Sequence, residues 1–274
     1  MKRLLAAAVL LCMLLCACGA SAENTAPATP DTASAAQKQT EKATEGSVQK
    51  PTQKPTEPPT VRELTEKRVK KIMDADLRSS SASISVEAMD QYPELPTGCE
   101  SVALTMAINA LGYDLKKTEI AEKYLIYDDN FAIGYCGDPF SDDGAGIWPI
   151  GIVATVDAFA QETGAKVCAY NTSKSPLKDL CKLVDAGYPV VVWTTYYMCE
   201  PMYSDDGVYY DDEYYMWYDN EHCVTLYGYD RDAGTVDIAD PLRGKVTVDA
   251  GEFERLNEDI GGYSAVIVDT SDLR

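Results

Sequence analysis

Histidine is nearly absent from this chain: His222 is the single one among 274 residues. A histidine-based zinc centre would have to rest on one imidazole and scattered thiolates, and no CxxC or HExxH spacing occurs, so zinc-enzyme patterns of that kind are missing. The GxSxG elbow of serine hydrolases is missing as well. Basic residues are scarce in the larger part of the chain. Residues 85–274 hold 12 basic and 35 acidic side chains, or −23, against −20 for the whole sequence. Such a body repels phosphate backbones, which excludes nucleic-acid binding and leaves cationic partners or divalent ions as the compatible ones. Long apolar runs are also lacking. The one run, Leu4 to Leu15, has 12 residues, too few to cross about 30 Å of hydrocarbon as a helix. No internal repeat occurs.

What is present divides the chain into four parts. Lys2-Arg3 followed by the apolar run reads as a signal peptide over residues 1–22. Leu15-Cys16-Ala17-Cys18 resembles a lipobox, with Cys18 as the acylated first residue of the mature protein. Ala20-Ser21-Ala22 is the competing cleavage site, leaving Glu23 first. The expected location is extracellular, on the bacterial cell membrane as a lipoprotein, with the membrane touched through the lipid anchor alone. Residues 23–60 are rich in Ala, Thr, Pro, Gln, Lys and Glu, cannot bury enough apolar surface to offset ordering entropy, and read as a disordered linker. Thr60-Val61-Arg62-Glu63 is a capping-box pattern that opens a charged helix to about Leu77, within a connector of residues 61–84. Its apolar face is thin, which places it outside the core.

Residues 85–274 are the globular domain. Cys99 to Leu111 is small and apolar on every side and stops at Gly112, the pattern of a buried central helix. Further helices are expected at 118–125, 149–163 and 176–186, the last with Ser175 as cap and Pro176 at its first position. Strands are expected at 165–170, 188–195, 222–229, 235–239, 245–248 and 263–268. Helices followed by an antiparallel meander make the fold α+β.

A Cys–His pair needs one histidine, and His222 stands at the start of an expected strand. That strand turns through 230–234, and antiparallel pairing about the turn carries Asp240 within one cross-strand step of it. A carboxylate there can fix the imidazole tautomer and steady its charged form. Cys99 at a helix N-terminus feels the positive dipole end, which is expected to lower its thiol pKa. Gln91 lies upstream and can offer an amide N–H to a developing oxyanion.

Gln…Cys…His…Asp in that order is the papain-like arrangement. At Gln91, Pro96-Thr97-Gly98-Cys99-Glu100-Ser101, Gly137-Asp138-Pro139-Phe140-Ser141, Gly187-Tyr188-Pro189, Glu221-His222-Cys223 and Asp240-Pro241-Leu242, the chain resembles family-39-like bacterial cysteine peptidases. This group is related to bacteriocin-processing, double-glycine leader peptidases. The resemblance implies a papain-like domain with its central helix packed on an antiparallel sheet. It implies Cys99 as nucleophile, His222 as general base, Asp240 as orienting residue and Gln91 as oxyanion donor, with no cofactor and no metal.

Five cysteines besides Cys99 lie in the domain. Cys168 and Cys181 read as core, Cys136 and Cys199 as loop residues able to bridge, and Cys223 follows His222. The stretch from Tyr196 to Asp219 holds seven acidic residues, eight tyrosines and Trp217, with no Lys or Arg. It reads as a substrate-facing wall for cations and flat groups, a calcium-stabilised loop, or a solvated acidic insertion. The sequence thus leads to a secreted thiol hydrolase acting on amide bonds of a peptide or cell-wall substrate, with cationic substrates matching the acidic body. A non-catalytic surface binding module on the same fold and a cell-wall peptide amidase are the alternatives.

Overall fold

The computed structural model describes residues 58–273. The apolar N-terminal run, Cys18 and nearly all of the linker lie outside the described residues. The first helix, α1 (Val61–Met73), opens with the expected capping box: the Thr60 hydroxyl accepts the Glu63 N–H while the Glu63 carboxylate accepts the Thr60 N–H at 2.7 Å. It is shorter than expected and does not lie outside the core, because Val69 is fully buried against the sheet.

The sheet is built from β1 (Ser81–Ser83), β2 (Val167–Asn171), β3 (Val190–Thr195), β6 (Glu221–Asp230), β7 (Thr235–Asp240), β8 (Gly244–Asp249) and β9 (Ser264–Asp269). Its strands run in the order β2-β9-β3-β6-β7-β8, with β1 added on β6, and all pairs are antiparallel. Strand alternation sends every second side chain to each face. Val191, Trp193, Ala265 and Ile267 go to one side, under α2 (Cys99–Ala110), α3 (Glu119–Lys123) and α4 (Pro149–Thr163). Val190, Val192, Val266 and Val268 go to the other, with α1 and α5 (Leu177–Asp185). The α+β reading holds, with helices on both faces of an antiparallel sheet. Helix α2 is buried from Cys99 through Ile108 and ends at Leu111, with Gly112 in the left-handed region at φ 97°, as its sequence required.

Three local readings change. Helix α5 is capped by Pro176 rather than Ser175 and has no side-chain cap. A helix absent from the sequence reading, α6 (Ala250–Asp259), follows β8, with the Asp249 carboxylate accepting the Glu252 N–H at 2.9 Å. Its Asn257 donates to the carbonyls of Trp193 (2.8 Å) and Tyr263 (2.9 Å), tying the ends of the central strands together. The acidic stretch after β3 is a hairpin rather than a loop, β4 (Tyr203–Tyr210) with β5 (Glu213–Tyr218), turning through Asp211-Asp212 at positive φ. The hairpin is docked through aromatic stacking. Trp217 lies on Trp148 (5.6 Å) and Tyr215 on Tyr263 (6.0 Å).

Candidate active site

Cys99 begins α2 behind a tight turn in which the Leu95 N–H donates to Gln91 and the Gly98 N–H to Leu95. Thr97 is clamped from outside: the Tyr135 hydroxyl donates to its carbonyl at 2.6 Å, and its own hydroxyl donates to the Ser141 carbonyl at 3.0 Å. The Pro96-Thr97-Gly98 and Gly137-to-Ser141 segments therefore form one structural unit that sets the helix start. The thiol is 3% exposed and lines a cleft of about 250 Å³ with Thr97, Gly144, Tyr196, Trp217, Asp219 and Glu221.

His222 is fully buried. Its Nε2 lies 2.8 Å from Asp240 Oδ1, and its Nδ1 has no hydrogen-bond partner among the described residues. Asp240 also accepts the Leu242 N–H at 2.8 Å and the Arg243 guanidinium at 2.5 Å. Burial opposes ionisation of Asp240, but the bonds from His222, Leu242 and Arg243 outweigh it and hold the carboxyl down to about 2. That bond directs the Nε2 proton toward the carboxylate and leaves Nδ1 as the acceptor. The Tyr196 ring stacks on the imidazole.

The alternation of β6 separates its neighbours. Cys223 and Thr225 face α2, the Thr225 hydroxyl donating to the Ala103 carbonyl at 2.7 Å, whereas Val224 and Leu226 face the α5 side. Glu221 reaches the Cys99 thiol, and His222 reaches Asp240. The structure thus brings His222 and Asp240 together, with Gln91 beside them through its N–H to the Pro241 carbonyl at 2.9 Å. It brings Cys99 together with Glu100, Glu221 and Cys223, and Tyr196 touches both groups. The buried Gln91 side chain gives one Nε2 hydrogen to the Pro96 carbonyl at 2.8 Å, so one hydrogen of that amide is already engaged.

Two acidic residues of this site escaped the sequence reading. Glu100 and Glu221 are both buried, Glu221 at 4% exposure. Glu100 accepts the Ile147 N–H at 2.9 Å through Oε1 and the Cys99 thiol at 3.4 Å through Oε2. Gly146 makes this approach possible, since a Cβ there would stand 2.4 Å from Glu100 Oε1 and 3.1 Å from the Trp217 ring. Burial pushes the Glu100 carboxyl up to about 7, and burial together with Glu100 pushes Glu221 well above the usual range. The signal was present in the sequence: each acid directly neighbours a candidate residue in an otherwise apolar element. The thiol corrects a further expectation. Burial, then Glu100 and Glu221, raise Cys99 well above an ordinary thiol, overriding the helix dipole. Cys136 and Cys199 are both free rather than bridged, while Cys168 and Cys181 are buried as expected.

A buried helix that opens on a cysteine, laid on an antiparallel sheet, is the architecture of papain-like cysteine peptidases. Residues 83–265 match the family model described as Peptidase_C39 like family, and the chain belongs to that family. Among solved structures it is similar to a C39-like peptidase from Bacillus anthracis. That pair shares 25% identity over 69% of this chain and 97% of the other, with a TM-score of 0.58. A double glycine motif protease of an AMS/PCAT transporter, solved with its leader peptide, matches at 14% identity (68% and 93% covered, TM-score 0.40). Xylellain, a cysteine protease from Xylella fastidiosa, matches at 11% (72% and 88% covered, TM-score 0.38). No curated protein matches the chain.

Proposed function

We propose that this member of the family is an active thiol hydrolase that cleaves peptide amide bonds with Cys99 as nucleophile and His222 as general base. The observation that carries the reading is the buried imidazole held by Asp240 at Nε2 with Nδ1 unpartnered. Membership of a cysteine peptidase-like family supports the same chemistry. Because the resting thiol is raised, proton transfer accompanies attack: Nδ1 takes the Cys99 proton as sulfur bonds to the substrate carbonyl carbon. The imidazolium, steadied by Asp240, then gives that proton to the departing amine as the C–N bond breaks, leaving a thioester. Water, deprotonated by Nδ1, hydrolyses the thioester and restores the thiol. Gln91 faces the oxyanion with the Nε2 hydrogen not held by Pro96.

Substrates with Lys or Arg near the cleaved bond are favoured in this reading, since the exposed Asp219 lines the cleft beside Trp217 and Tyr196. Export with acylation of Cys18 belongs to the same proposal and rests on the Lys2-Arg3 and Leu4–Leu15 segment. A diacylglyceryl Cys18 in the mass spectrum of the native protein supports it, and a free Glu23 amine overturns it.

The test of activity is incubation of the purified protein with a peptide library and with cell-wall fragments, alongside a thiol-reactive probe. Expected are turnover and covalent labelling of Cys99, both lost in Cys99→Ala, whose melting temperature falls by only about 2–4 °C for a cost of about 1 kcal/mol. Undiminished turnover in Cys99→Ala, or no turnover of either library, overturns the enzyme reading.

A further inference from the structure

The proposed hydrolysis makes no use of Glu100 or Glu221, yet both are buried at the nucleophile. Cys99 Sγ and one carboxylate oxygen from each glutamate lie within 4.8 Å of one another. Glu221 Oε1 is buried and has no hydrogen-bond partner, although Glu221 lines the cleft that Cys99 lines. Buried polar atoms of native proteins are almost always partnered, so an unpartnered carboxylate oxygen on a residue that lines the cleft calls for a ligand to complete it. The donor set chooses the ligand. One thiolate and two carboxylates suit a borderline divalent ion such as zinc, whereas calcium and magnesium take six or more oxygens.

We propose that Cys99, Glu100 and Glu221 form a binding site for one zinc-type divalent cation, which reversibly blocks the cleft at its thiol. Zinc bonds of about 2.0–2.3 Å in tetrahedral geometry bring such donors to about 3.5 Å apart; here all three lie within 4.8 Å, and Cys99 Sγ is already 3.4 Å from Glu100 Oε2. Glu100 would use Oε2 and keep Oε1 on the Ile147 N–H, an outer bond that orients the carboxylate. The fourth position faces the cleft and takes water. Binding releases the thiol proton, and any carboxyl proton, to solvent; the ion keeps its charge and nothing is oxidised or reduced. Metal-site motifs miss this set because its donors come from a helix start and a strand start that are 122 residues apart in register, where Thr225 meets Ala103. The site does not depend on the hydrolytic reading, because binding itself is measured.

The test uses the full chain, reduced and stripped with chelator, titrated with cobalt(II). One equivalent should produce a near-ultraviolet sulfur-to-cobalt charge-transfer band. Cys99→Ser should lose the band, Cys199→Ser should keep it, and Glu221→Gln should weaken cobalt or zinc affinity at least tenfold. A second measurement needs no variant: zinc should slow alkylation of Cys99 at least tenfold, leave the exposed Cys199 unaffected, and release Cys99 again on chelation. Absence of the band, its survival in Cys99→Ser, full affinity in a folded Glu221→Gln protein, or Cys99 alkylation indifferent to zinc each overturns the site. Should Glu221→Gln fail to fold, the alkylation result decides. A zinc-binding protein that cleaves no peptide would refute the hydrolase and leave this site standing, and the converse result would do the opposite.

Discussion

The Tyr196 ring covers the His222 imidazole, with centroids 5.0 Å apart and planes inclined by 29°. Because Tyr196 also lines the cleft with Cys99, one side chain shields both groups. Tyr196→Ala should speed alkylation of Cys99 several-fold, at a stability cost of about 1 kcal/mol for the lost stacking. Mass-spectrometric rates for Cys99, normalised to Cys199, check this; an unchanged ratio removes Tyr196 as the shield.

Asp240 sets an acid limit on stability. Its carboxyl is held at about 2 against an ordinary 3.8, so the ionised form contributes roughly 2 kcal/mol above pH 3.8, lost as pH falls toward 2. Asp240→Asn should lower stability by about that amount at pH 7, a fall of about 4–8 °C in melting temperature, and should flatten the slope between pH 4 and 2. Urea titrations of both proteins across that window decide the matter. Equal slopes would mean that another carboxyl dominates.

Loss of the imidazole should be felt in rate more than in binding. Replacing His222 with Ala is expected to lower kcat/KM at least a hundredfold, the usual scale of general base catalysis, and to lift the pH needed for Cys99 alkylation. An alkylation profile identical to wild type would show that the two side chains do not act as a pair.

The charge of the cleft should show in substrate choice. Asp219 is exposed at the cleft, whereas Asp211 and Asp212 stand at the hairpin turn. Basic peptides should be turned over faster than matched neutral and acidic ones, with the preference shrinking at high salt and in Asp219→Asn. The double change Asp211→Asn with Asp212→Asn should have the smaller effect. Equal rates for the three peptide classes would make the acidic hairpin a solvated feature without a role in selection.

Much of this fold could be read from the chain because its signals were local. The capping box at Thr60, the all-apolar helix from Cys99 and the period-two strands each carry their own pattern, and the meander about the 230–234 turn was enough to bring Asp240 to His222. The hairpin β4–β5 was obscured by its charge: tyrosine pairs flank Asp211-Asp212 on both sides, but seven carboxylates made the stretch look like a loop. Helix α6 was missed because its apolar stripe is narrow, although Asp249 with Glu252 marked its start. The raised thiol was only partly legible, through Glu100 beside Cys99. It depends first on burial of Cys99, then on Glu100 and on Glu221 reaching it across a helix–sheet contact, and sequence spacing reveals neither the burial nor that contact.

Strand β6 is hydrogen-bonded to β3 along one side, from Glu221 to Leu226, and to β7 along the other. Glu221, His222 and Cys223 alternate along the strand, so inserting or deleting one residue between Asn220 and Val224 would move a neighbouring side chain into the place of the imidazole beside Asp240. Changes of length are better tolerated at exposed turns, here 230–234 and the Asp211-Asp212 tip. In homologues, length variation should therefore collect at those two turns and stay out of this short stretch, which tolerates a change of residue better than a change of count.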